Sequence, residues 1–161
     1  MKKSVLLILI LLSFFDVFSQ MKIDKDTPVT TGEPIYLKFH EATITPPKGY
    51  YFLESYSSFV SVDNNTTISV ARKKGISYKT MLSNFLNTNS KLANSKMISH
   101  ESISGGTLFV FQFEVQGVTT QRIMYLKGDE ENVYYAMANY KLEDKSKFFN
   151  LLKKTVLSIK F

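Results

Sequence analysis

The chain has 161 residues, a net charge of +6, and neither cysteine nor tryptophan. Without cysteine there is no thiol catalysis and no disulfide, so stability must come from a hydrophobic core. The positive charge is mild and comes with no recognisable nucleic-acid module, which argues against nucleic acid as a partner and leaves an anionic surface open.

Met1-Lys2-Lys3-Ser4 forms a short basic start, followed by an apolar run from Val5 to Leu12 that Phe14 and Phe15 extend. Val17 and Ser19 then stand at −3 and −1 before Gln20. That order reads as a cleavable secretory signal peptide over 1–19. The run is shorter than the roughly 20 residues a spanning helix needs, and Asp16 interrupts it. An exported protein, periplasmic or secreted from a bacterial envelope, is expected, with no transmembrane segment after cleavage. The remaining stretch of about 140 residues suits one domain.

Residues 20–34 are polar, lack an apolar period and read as a flexible lead-in to a single domain over 35–161. Ile35, Leu37 and Phe39 alternate with Tyr36 and Lys38, and 42–45 alternates likewise, so both read as strands. Pro46 and Pro47 end the pairing, because neither can donate to a ladder. The segments 59–62 and 67–71 read as a hairpin across Asp63-Asn64-Asn65. Ser77 is placed to cap a helix running to about Ala93, with Met81, Leu82, Phe85, Leu86 and Leu92 on one face. Three strand-like runs follow, 107–115, 118–126 and 133–140, joined by short turns at Gln116-Gly117 and 128–132; they predict an antiparallel meander. A last helix, which Asp144 could cap, carries Phe148, Leu152, Thr155, Val156 and Ile159 at helical spacing. Strands, helix, meander, helix is the order of an α+β domain: an antiparallel sheet flanked by two main helices.

The local patterns that punctuate this order are Pro47-Lys48-Gly49-Tyr50 after a strand, Ile68-Ser69-Val70, and Ser77-Tyr78 with Leu82 and Phe85 on the helix. Arg122, Tyr125-Leu126-Lys127-Gly128 before a turn, and Leu157-Ser158-Ile159-Lys160-Phe161 at the end complete them. Over about residues 35–161 the chain resembles the PsbP-like fold group. That group includes extrinsic photosystem II subunits, a Ran-binding nuclear-import accessory protein and exported bacterial proteins of unassigned role. The resemblance implies an α/β/α sandwich and, from its members, partner binding rather than catalysis. It carries no functional residue onto this chain.

The residues themselves point to no catalytic constellation. No serine sits in a nucleophile elbow, and Ser104-Gly105-Gly106 reads as a turn. Asp129-Glu130-Glu131 reads as a hairpin tip. No phosphate-cradling loop, metal motif or cofactor site is evident. His40-Glu41 and His100-Glu101 would make a small hydrolase or metal-dependent enzyme conceivable if the fold brought them together. An apolar cavity between sheet and helix would point instead to a small apolar ligand. The preferred expectation is a non-enzymatic partner-binding or accessory module acting on an unidentified envelope or secreted protein. Tyr50, Tyr51 and Phe52 break strand alternation and suit an exposed aromatic patch. Arg72, Lys73 and Lys74 suit an anionic partner.

Overall fold

The computed structural model describes residues 23–63, 65–88 and 95–161. The signal-peptide reading of 1–19 lies outside them, as does the first helix beyond Thr88. A small antiparallel sheet pairs β1 (Ile35–Leu37) with β2 (Ala42–Ile44). The large sheet holds β3 (Tyr50–Leu53), β4 (Ser58–Ser61), β5 (Thr66–Lys74), β6 (Ser95–Ile103), β7 (Gly106–Val115), β8 (Val118–Gly128) and β9 (Asn132–Lys141). Its spatial order is β3-β4-β5-β9-β8-β7-β6, antiparallel at every junction. The helices are α1 (Tyr78–Thr88) and α2 (Lys145–Leu157). A large antiparallel sheet with two helices is the α+β class expected from the sequence.

Strand alternation divides the core. Along β8, Ile123 and Tyr125 belong to one cluster, while Met124 and Leu126 belong to another. Successive side chains leave opposite faces of a strand, so the two cores lie on opposite sides of the sheet. Phe148, Leu152 and Val156 of α2 pack on the first side, over Ala136 and Ala138 of the central strand, whose small side chains give the helix room. Leu37, Ala42 and Ile44 of the small sheet join them there. Met81 and Phe85, one helical turn apart on α1, pack with Phe109 and Phe111 on the second side.

The local chemistry explains the boundaries. Ser77 Oγ accepts the Thr80 backbone N–H at 3.2 Å, as a helix N-cap does. Asp144 makes no side-chain cap; a 3₁₀ turn over Leu142–Asp144 leads straight into α2 instead, which corrects the expected cap. Gln116 and Gly117 both take positive φ, 50° and 78°, the backbone of a two-residue hairpin turn whose twist matches its strands. At the β8–β9 turn, Asp129 Oδ1 accepts the N–H groups of Glu131 and Asn132, each at 2.8 Å. The Asp129 and Glu131 carbonyls in turn accept the Tyr78 and Gly75 N–H groups, tying the start of α1 to this turn. The acidic triplet is thus built into a hairpin tip.

Two strands escape the alternation rule. β6 carries polar side chains on both faces, and a register shift between Met97 and Ser99 breaks its period. β3 is an edge strand with aromatic side chains on both faces. Its outer side is covered by 28–30: the Phe52 N–H donates to Pro28 and the Thr30 N–H to Tyr50, both at 2.8 Å. That part of the expected lead-in is pinned to the sheet.

Candidate functional site

The aromatic run lies on β3. Tyr50 is 5% exposed and packs in the α2-side core, and its hydroxyl lies 2.6 Å from Thr66 Oγ1. Burial pushes its phenol above the ordinary range. Tyr50 is therefore a core residue, a correction to its place in an exposed patch: an edge strand beside a folded lead-in can turn one aromatic fully inward. Tyr51 and Phe52 are half-buried, and Phe52 stacks on Phe59 with ring centroids 4.9 Å apart.

The basic run ends β5, and alternation splits it. Arg72 and Lys74 lie on the α2 side and Lys73 on the other. The Arg72 guanidinium donates from Nε and Nη2 to Asn132 Oδ1, at 3.2 and 3.0 Å, and from Nη1 to Glu41 at 2.5 Å. It also lies 5.4 Å from the Tyr134 ring centroid. Lys74 Nζ stands 3.8 Å from the same Glu41 carboxylate. Arg72, by hydrogen bond and charge, holds that carboxyl below its usual range, and Lys74 adds to the effect. Much of the positive charge expected to face an anion is spent on the turn between β1 and β2.

That turn shapes a groove the sequence did not reveal. β1 stops at Leu37, and the Leu37 and Lys38 carbonyls accept the N–H groups of His40 and Glu41. Glu41 adopts φ +52°, His40 tucks inward, and Phe39 is thrown out to 87% exposure. Tyr36, Leu37, Lys38 and Phe39 wall one side of a mainly apolar depression of about 430 Å³, with Phe52, Glu54 and Ser57 opposite. Tyr36 is 61% exposed and Tyr56, between Glu54 and Ser57, 54%. The extended reading of 35–39 would have pointed Phe39 inward with Ile35 and Leu37. No glycine, proline or asparagine in 38–41 announces the turn.

The two histidines do not meet. His100 pairs with Phe109, so it lies on the α1 side, whereas the β1–β2 turn that holds His40 sits over Arg72 on the α2 side. Four ladder steps separate β5 from β6, roughly 19 Å at about 4.8 Å each. Burial first, and the Arg72 charge second, hold the His40 imidazole below its usual range; among the described residues its Nδ1 has no hydrogen-bond partner. Glu101, beside His100, takes Lys153 Nζ of α2 at 2.6 Å. Among the described residues no group of three or more His, Asp or Glu could hold a metal ion, and no helix is long and apolar enough to cross a membrane. A second depression, about 630 Å³, opens where the β7–β8 turn meets the start of β6. Neither depression lies between the sheet and a helix.

One buried cation remains. Arg122, on the α1 side, is nearly inaccessible, and desolvation lowers its pKa to about 10. Its Nε donates to Asn139 Oδ1 at 2.8 Å, Asn139 Nδ2 donates to Thr67 Oγ1 at 2.9 Å, and the Phe113 ring lies 5.4 Å away. This is a cross-strand network joining β5, β9 and β8.

No family model and no curated protein matches the chain. Solved structures do. Cyanobacterial PsbP from Synechocystis sp. PCC 6803 aligns over 88% of this chain and 98% of its own, with a TM-score of 0.52 at 6% identity. The fold is PsbP-like. LpqN, involved in cell envelope biogenesis of Mycobacterium tuberculosis, aligns over 87% of this chain and 88% of its own, with a TM-score of 0.54 at 12% identity. A Bacteroides thetaiotaomicron protein gives a TM-score of 0.58 at 12% identity over 81% of this chain, which spans about half of that protein's length (48%). Identities this low carry the PsbP-like fold and nothing of the site.

Proposed function

We propose that the chain is an exported accessory protein that binds a partner in the cell envelope and catalyses no reaction itself. In this reading its helices layer on either face of the sheet in the α/β/α manner of the PsbP-like group. The observation that carries the binding role is that Tyr36 and Phe39, both exposed, wall one mainly apolar groove, with exposed Tyr56 next in the chain to its lining residue Ser57. Soluble domains seldom expose contiguous aromatic surface without a use for it, and aromatic anchors dominate binding energy at interfaces. Phe52 belongs to this surface, while Tyr51 faces the other side of β3. Lys74 adds positive charge on this side for an acidic partner, Lys73 adds it on the opposite face, and Arg72 holds the rim in place through Glu41. The neighbour LpqN, with its part in envelope biogenesis, supports the compartment and the accessory character.

The test is capture from the native envelope and culture fluid with the mature chain, beginning at Gln20, as bait. A reproducible partner lost on F39A or Y56A, with the circular dichroism spectrum unchanged, supports the reading. A blank from a folded, exported bait, or capture indifferent to both substitutions, defeats it.

A further inference from the structure

The small sheet has one open edge, and its hydrogen-bond pattern fixes what that edge presents. Thr43 of β2 exchanges two backbone bonds with Lys160, the Thr43 N–H donating at 2.8 Å and the Lys160 N–H donating back at 2.9 Å. The N–H and C=O of a strand residue point to the same side, and that side alternates along the strand. Thr43 therefore turns both groups away from β1, and its partner Tyr36 must turn both of its own away from β2. Among the described residues nothing bonds them. Their open side is the groove, whose walls contain β1 and the end of β3 but no residue of β2.

We propose that this edge takes an extended segment of a partner protein, which adds to β1 as a further strand; the assignment rests on the partner-binding reading above. The segment runs antiparallel to β1, and its middle residue exchanges N–H and C=O bonds with Tyr36. Its two flanking side chains then share the face of Ile35 and Leu37 and enter the groove toward Phe52, while the middle side chain lies outward beside Tyr36. The flanking residues are therefore apolar, and a volume of about 430 Å³ accommodates two aliphatic side chains. Lys38 and Glu54 stand on opposite walls, and among the described residues neither has an ionic partner. They select a segment with an acidic residue toward one end and a basic residue toward the other. Backbone bonds supply affinity and alternate side chains supply specificity, as in strand addition generally.

The test uses the ¹⁵N-labelled mature chain and two acetylated, amidated pentapeptides, Glu-Val-Thr-Val-Lys and Lys-Val-Thr-Val-Glu, which place the acidic and basic ends in opposite orders along the antiparallel segment. Saturable amide shifts at Tyr36, Lys38 and Glu54 are expected for one of them, with a Kd of about 1 mM or tighter. Methylating the threonine nitrogen deletes the donor to Tyr36 and should weaken binding by about tenfold. Y36P, which removes the Tyr36 N–H at an edge position where proline is tolerated, should weaken it similarly while leaving amide dispersion intact elsewhere. Should Y36P unfold the chain, the N-methyl peptide on the unaltered protein still decides. No saturable shift at about 5 mM peptide, equal binding of the N-methyl peptide, or shifts centred on the β6 edge would overturn the proposal. So would broadening of the same amides with protein concentration alone, which would seat a second copy there. Envelope capture separates this from the broader reading: a partner retained by Y36P but lost on Y56A leaves the accessory role standing and removes the edge.

Discussion

Replacing Tyr50 tests whether the β3 aromatics serve the core or a partner. The ring is almost wholly buried among Phe59, Ile68 and other α2-side residues, and the hydroxyl meets the buried Thr66 Oγ1 at 2.6 Å. Truncating a buried aromatic to alanine costs about 3–5 kcal/mol, from lost transfer energy and the cavity left behind. Removing the hydroxyl alone, in Y50F, leaves Thr66 short of one partner and costs about 1 kcal/mol. For a domain of about 140 residues the unfolding entropy at the midpoint is roughly 0.3 kcal/mol per degree, so Y50A should lower Tm by about 10–17 °C and Y50F by about 3 °C. With an m-value of about 2 kcal/mol/M, the urea midpoint of Y50A should fall by about 2 M. The chain lacks tryptophan, so far-UV circular dichroism is the appropriate signal. If the proposed partner binding holds, Y50F should capture as much partner as the parent does. A Y50A protein within about 1 kcal/mol of the parent would refute the assignment of Tyr50 to the core.

L152A, at a fully buried position of α2, should cost about 2–5 kcal/mol by urea denaturation without altering peptide shifts at Tyr36. At Gly128 an added Cβ would come within 2.2 Å of the Asn132 carbonyl oxygen and 3.0 Å of Val133 Cα, both backbone, so G128A should be among the most damaging changes in the sheet, visible as loss of soluble folded protein. His40 should give stability a pH dependence of definite sign. Its folded pKa lies below the ordinary 6.5, so the unfolded chain takes up the proton first. Stability is full above about pH 6.5 and declines as pH falls through that value toward the folded pKa. H40L should flatten the decline between about pH 6.5 and 5, before the carboxylates titrate, and urea midpoints at several pH values would show it. E41Q should release the β1–β2 turn from Arg72, shifting the amides of 36–44 while leaving β7 and β8 unmoved.

The sequence disclosed most where one face is apolar and the other is not. Phe109, Phe111 and Phe113 on β7, the Met81–Phe85 stripe, and the Phe148-Leu152-Val156 ridge sit where periodicity placed them. It disclosed least at the edges. β6 has no consistent apolar face and a shifted register, so nothing in its sequence repeats at period two. The Tyr50–Phe52 run looked surplus to a strand, because a single-layer reading cannot know that 28–30 will close over one side. The groove is the sharpest case. It depends on a turn at 38–41 held by Glu41 reaching Arg72, a long-range charge pairing with no local signature, and that turn alone makes Phe39 an exposed residue. Both of its partners were visible, as members of a histidine–glutamate pair and of a basic run, but not their meeting.

The large sheet is two ribbons joined along one seam. Every ladder in it links strands adjacent in sequence except β5 with β9, where Thr66 lies opposite Tyr140 and Lys74 opposite Asn132. The hairpins of 50–74 and the meander of 95–141 can each zip from their own turns, but joining them closes a loop of about sixty residues or more at an entropic cost no local contact repays. Closure of the seam should therefore limit the folding rate. Weakening it with V70A, on β5, should slow refolding in stopped-flow chevrons, whereas F111L near the far edge should act on unfolding. Until that seam shuts, each ribbon carries an apolar face and an unpaired strand, the stage at which the chain most needs protection from its own copies.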